Sequence, residues 1–190
     1  MTERFDAEGW LAGAVRRESP NQDERPAGEQ PSLVVIHAIS LPPDDFGGPW
    51  IFDLFDNTLD PAAHPYFASI HHLRVSSHFL IRRDGELVQF VSCDKRAWHA
   101  GVSEWLGREH CNDFSIGIEL EGCDAMPFEP AQYDALKALL QAILRHYPIS
   151  AVAGHCHIAP QRKTDPGPHF DWQQLRCEFA TVRFPAMQKS

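Results

Sequence analysis

At 190 residues, 43% of them hydrophobic and 23% charged, the chain is long enough to bury one full core, and a single soluble domain is expected. A formal net charge of −9 offers no basic surface to neutralise phosphates, which argues against nucleic acid and against an anionic membrane as partners. Five cysteines without a CxxC pair do not form a disulfide framework or a Cys-based structural zinc site and fit a reducing cytoplasm, whereas eleven histidines point to metal or acid–base work.

The opening "MTERFDAEGWLAGAVRRESP" is acidic where a signal peptide is basic, and nothing approaches the ~20 apolar residues that span a bilayer. Residues 17–32, polar and rich in Pro, Glu and Gln, read as a loop leading into the core. "LVVIHAIS" (33–40) then has the continuous β-branched pattern of a strand buried on both faces, with His37 inside it. The proline-broken stretch 41–67 reads as a long surface excursion with short helical turns, of the kind that lines sites.

"HFLIRRDGELVQFV" (78–91) predicts a hairpin around Asp84-Gly85, a pair favoured in two-residue turns. "SIGIELEG" (115–122) alternates: Ile116, Ile118 and Leu120 share one face, and Ser115, Gly117, Glu119 and Glu121 the other. Helical spacing of Leu136, Leu139, Leu140, Ile143, Leu144 and Tyr147 predicts a helix between Pro130 and Pro148. A strand over "ISAVAGHCH", a loop to Pro168 and a closing helix with Trp172, Leu175 and Phe179 complete a mixed α/β order, a central sheet with helices packed on it.

Two imidazoles and a carboxylate are the donor set of an open, catalytic zinc site, and His37, His155 and Asp165 can supply it. His37 also fits a hydrogen-bonded core histidine. In an extended segment His155 and His157 would share a face and could chelate together, or one is a ligand and its neighbour a supporting or surface residue; Cys156 would turn toward the core. Glu119, beside Gly117 on a face with little bulk, reads as a general base with room for a substrate, or as a solvated carboxylate, the reading preferred for Glu121. Lys163, two positions before Asp165, can hydrogen-bond an oxyanion or simply be solvated.

Together, "VVIHAISLPPDDFGGPW", "DKRAWHAGVS", "CNDFSIGIELEG" and "HCHIAPQRKTDPGPHFDW" resemble the zinc-dependent 1,6-anhydro-N-acetylmuramyl-L-alanine amidases, within the type 2 amidase and peptidoglycan-recognition superfamily. The resemblance spans roughly 33–172 and implies a mixed central sheet flanked by helices. It also implies a layout of lead-in 1–32, catalytic core 33–172 and C-terminal tail and helix 173–190. One Zn2+ per chain would be held by His37, His155 and Asp165, with Glu119 as general base and Lys163 as transition-state stabiliser. His157 then drops to a supporting role.

The implied reaction cuts the amide between N-acetylmuramic acid and the L-alanine of the stem peptide, on soluble anhydromuropeptides in cytoplasmic wall recycling. In some bacteria this also lowers β-lactamase induction. Arg74 matches a residue that holds a stem-peptide carboxylate, and Trp98, His99, Ala100 and Gly101 match a groove wall. His110 stands where an arginine is common and Ala38 where a polar residue is, departures that bear on stem-peptide affinity. A monomer is expected. Rival readings are a non-catalytic peptidoglycan-binding module, an amidase of intact wall, and a cysteine hydrolase using Cys156.

Overall fold

The computed structural model describes residues 4–186, so residues 1–3 and the 187–190 end of the expected tail lie outside the described residues. In chain order it forms β1 (Val15–Arg16), β2 (Gln22–Glu24), β3 (Leu33–Ile39), α1 (Trp50–Phe55), β4 (Phe79–Ile81), β5 (Leu87–Gln89), β6 (Lys95–Ala97), β7 (Glu104–Trp105), β8 (Arg108–Glu109), β9 (Ser115–Glu121), α2 (Pro130–His146), β10 (Ala151–Gly154), α3 (His155–Ile158) and α4 (Trp172–Glu178). Six strands make one sheet in the order β1-β5-β4-β9-β3-β10. Only β4 and β5 run antiparallel, so the sheet is mixed, as expected.

β3 and β9 are neighbours in the interior of this sheet, and β3 reads as an unbroken apolar run because both of its faces are covered. On one face Val34, Ile36, Ile116, Ile118 and Leu120 pack with Leu136, Leu139, Leu140 and Ile143 of α2, each burial contributing about 1.5–3 kcal/mol. Pro130 opens α2, and Gln132 reaches back to accept from the Glu129 N–H at 3.0 Å. Gln132 Nε2 also donates to the Glu121 carbonyl at 3.0 Å, tying the helix start to the end of β9.

Three expectations need correction. Asp84-Gly85 does not form a two-residue turn: Arg82 N–H donates to the Glu86 carbonyl at 2.9 Å, leaving residues 83–85 as a three-residue loop with Gly85 at φ 89°. Residues 17–32 are not only a loop, because β2 pairs with β6 and Arg25 reaches inward to donate to the carbonyls of Cys93, Asn112, Asp113 and Ser115. The excursion 41–67 does contain a helical turn, but α1 buries Ile51, Leu54 and Phe55 into a second core with Leu80, Val88 and Phe90.

Candidate functional site

β3, β9 and β10 run parallel, so their carboxyl ends open at one edge, the usual place for a site in such a sheet. On the face away from α2, the register sets His37 directly beside Glu119. β10 pairs Gly154 with Ile36 and then stops, which delivers His155 to the same edge.

His155 does not continue the strand. α3 turns at once after Gly154, so His155 and His157 do not share a strand face and do not chelate together. His157 Nδ1 instead accepts from the Gly154 N–H at 2.9 Å, and its ring meets Trp172. Cys156 is half-buried rather than core-facing, and with His157 it lines a separate cavity of about 550 Å³ behind the loop. Burial, then the charge of Asp165, pushes its thiol up to about 11, and the neighbouring Nδ1 is already accepting; neither favours a thiolate nucleophile.

The loop after α3 folds back on itself. Lys163 N–H donates to the Ala159 carbonyl at 3.0 Å, and Cys156 N–H to the Asp165 carbonyl at 2.8 Å, which returns Asp165 to the start of the loop. Gly154 makes room for this return, since a Cβ there would lie 2.6 Å from Pro166 Cδ.

His37, His155 and Asp165 converge. His37 Nδ1 lies 3.0 Å from His155 Nδ1, and Asp165 Oδ2 lies 3.1 Å from each. His155 Nε2 is 3.1 Å from the Ala100 carbonyl, which only accepts, so Nε2 carries the proton and Nδ1 presents a lone pair to the cluster. A lone pair and a carboxylate oxygen thus face each other across 3.1 Å, an arrangement that a cation between them relieves. Among the described residues these three are the group of donors able to hold a metal ion. Two neutral imidazoles and one carboxylate also match the ligand chemistry of zinc and leave a fourth position open.

Burial pushes His37 down to about 4, against the pull of Asp165, so it is neutral near pH 7. Burial alone would raise Asp165, but the two imidazoles beside it, His155 and His37, outweigh this and hold it well below the usual carboxylate range. Glu119 goes the other way: burial first, then Asp165, raises it well above the ordinary value, and Lys163 partly offsets them. Its Oε1 lies 4.0 Å from His37 Nδ1, while its buried Oε2 finds no hydrogen-bond partner among the described residues. Glu121, expected to be solvated, is buried, paired with Arg82 at 3.2 Å and accepting from the Gly47 N–H at 2.7 Å.

These groups open into a cleft of about 480 Å³ whose lining includes Ala38, Tyr66, Trp98, His99 and Lys163. The space beside Gly117 is not free for a substrate: a Cβ there would meet the His99 ring at 2.5 Å, so the imidazole fills it. Ala100 is fully buried and contributes its carbonyl to His155 and to Arg162 Nη2, at 2.9 Å, rather than a wall. Gly101, at φ 59°, lies against the Arg162 guanidinium. Arg74 and His110 are exposed and do not line the cleft; Arg74 lies against the carbonyls of residues 71–73. The anchoring role of the Ala100 carbonyl had no signal in side-chain types, and sequence reasoning missed it.

A family model described as N-acetylmuramoyl-L-alanine amidase matches residues 27–168. A curated relative from Citrobacter freundii, the 1,6-anhydro-N-acetylmuramyl-L-alanine amidase AmpD, is 64% identical over 172 residues, covering 90% of this chain and 92% of its own. A crystal structure of a selenomethionine AmpD derivative superposes with a TM-score of 0.88 at 62% identity, covering 94% of this chain and 99% of that one. The Escherichia coli amidase AmiD, solved with anhydro-N-acetylmuramic acid-L-Ala-D-γ-Glu-L-Lys, gives a TM-score of 0.59 at 31% identity, over 97% of this chain and 68% of that one.

Proposed function

We propose that this chain, which belongs to the N-acetylmuramoyl-L-alanine amidase family and within it to the AmpD type, is a zinc-dependent hydrolase of cytoplasmic anhydromuropeptides. The bond cut is the amide between the 1,6-anhydro-N-acetylmuramic acid and the L-alanine of the stem peptide. The observation that carries this reading is the convergence of His37, His155 and Asp165 beside a buried, partly unpartnered Glu119. The substrate class is supported by the tripeptide in the AmiD complex.

His37, His155 and Asp165 would hold one zinc ion. Bound there, zinc would supply Lewis acidity, making a water more acidic and a carbonyl more electrophilic. Glu119 accepts the proton of the attacking water; burial and then Asp165 raise its basicity above that of an ordinary carboxylate, which favours the transfer. Lys163, lining the same cleft, donates to the oxyanion of the tetrahedral intermediate. Glu119 then returns the proton to the alanine nitrogen, since an amide nitrogen does not depart as an anion. Arg74, Trp98, His99 and His110 are proposed substrate contacts, and Trp98 and His99 already line the cleft. No helix among the described residues is long and apolar enough to cross a membrane. We take the chain to act as a monomer, organised as one domain.

The test is to incubate the purified chain with anhydromuramyl-tripeptide and with intact sacculi, with and without a chelator, and to identify products by mass spectrometry. Chelator-sensitive release of free tripeptide from the soluble substrate is the expected result. Binding of the tripeptide without cleavage would instead support a recognition module, and preferential attack on sacculi an amidase of intact wall.

A further inference from the structure

His37 uses its second nitrogen as well. Its Nε2 lies 2.9 Å from His99 Nδ1, and His99 Nε2 lies 3.2 Å from the Ser115 hydroxyl. The ring of His99 stands nearly perpendicular to that of His37, seated in the space that the missing side chain of Gly117 leaves on β9. Two ring nitrogens 2.9 Å apart share a single proton, so one of the pair donates and the other accepts. A neutral imidazole both donates and accepts, and a serine hydroxyl does either.

The chain of contacts therefore has two complete arrangements. In one, Ser115 donates to His99 Nε2, His99 Nδ1–H donates to His37 Nε2, and His37 Nδ1–H donates to Asp165 Oδ2. In the other, all protons have moved to the opposite nitrogens: His37 Nε2–H donates to His99 Nδ1, and His99 Nε2–H donates to Ser115. Only the second presents a His37 Nδ1 lone pair to the cluster. His155 has no such freedom, because the Ala100 carbonyl fixes its tautomer.

We propose that His99 and Ser115 are positioning residues for His37, forming a reversible hydrogen-bond relay. It frees His37 Nδ1 as a metal ligand without leaving a buried polar atom unpaired. This rests on the metal site proposed above. No net proton is gained or lost in the reversal: one leaves Nδ1 and one arrives at Nε2 on each imidazole, and the hydroxyl rotates. Outer groups of this kind hold ligand orientation, and their loss typically costs 10–100-fold in metal affinity.

The experiment is long-range 15N–1H NMR of the imidazole nitrogens in the full-length chain, metal-free and with one equivalent of zinc, together with zinc affinity by chelator competition. On zinc loading, His37 and His99 are expected to move their protons from Nδ1 to Nε2 while His155 keeps Nε2–H throughout. His99→Phe, which keeps the ring volume, should weaken zinc binding about 10–100-fold. Ser115→Ala, the milder variant should His99→Phe not fold, should weaken it less while shifting the His99 tautomer balance in the metal-free chain. A structural role alone would lower the melting temperature and leave tautomers and affinity as they were. If zinc binds and His99 keeps its proton on the same nitrogen in both states, the relay is wrong. If the wild-type chain binds no zinc, the metal reading itself falls.

Discussion

At the scale of single residues, the cluster separates groups that one carboxylate or histidine looks interchangeable with in sequence. Glu119 and Glu121 stand two apart on one face, yet Glu121 is neutralised by Arg82 and Glu119 is left with an unpartnered oxygen over the cleft. Glu119→Ala should therefore keep fold and zinc content while lowering kcat by about 10²–10⁴-fold, the usual contribution of a positioned acid–base group. A near-normal rate would remove its assignment as the base. Cys156→Ala should retain full activity, because burial keeps the thiol protonated; an inactive but folded variant would restore the cysteine-hydrolase reading. His78 carries a pH prediction. Its Nδ1 accepts from the Gly117 N–H at 3.0 Å, and burial, then Arg25, pushes it down to about 3 from 6.5. A depressed pKa means that the stabilisation is present above about pH 6.5 and is lost as pH falls toward 3, up to about 4–5 kcal/mol in all. Urea midpoints measured from pH 7 to 4 should fall steeply for the wild type and less so for His78→Gln, whose amide can both accept and donate.

Among the elements, Gly154 is where strand, turn and returning loop meet. Gly154→Ala would push a methyl into Pro166 Cδ at 2.6 Å and His157 Nδ1 at 3.0 Å, so stability should fall by about 1–3 kcal/mol, with a matching loss of zinc affinity as Asp165 is displaced. A variant with unchanged melting temperature and affinity would show that the loop does not depend on this close approach. β3 was legible as an unbroken apolar run because both of its faces are covered, β9 through its alternation, and α2 and α4 through the helical spacing of the side chains they bury. The strand predicted through His157 ended early, since hydrophobic pattern carries no mark of where the backbone turns after a small residue. Convergence of His37 with His155 and Asp165 was readable only through family motifs. What sets the His155 tautomer is a backbone carbonyl, which every residue possesses and no sequence pattern distinguishes.

For the whole molecule, the segment of residues 17–32 is fastened to the core rather than merely leading into it. Arg25, whose guanidinium serves the carbonyls of Cys93, Asn112, Asp113 and Ser115, fastens it under the strand that carries Glu119. Arg25→Ala should lower stability by about 3–5 kcal/mol in denaturant titration by leaving these acceptors unpaired; a change below 1 kcal/mol would contradict this role. Zinc should stabilise the whole fold by mass action, about 2.7 kcal/mol at a hundredfold excess over Kd, in the wild type and not in His37→Ala. The most direct test of the account is to titrate the metal-free chain with zinc while following release of the stem peptide from anhydromuramyl-tripeptide. Activity should rise from near zero and level off at one equivalent, and Asp165→Ala should stay inactive throughout that range. Full turnover by the chelated wild type, or wild-type turnover by Asp165→Ala at one equivalent, would contradict it.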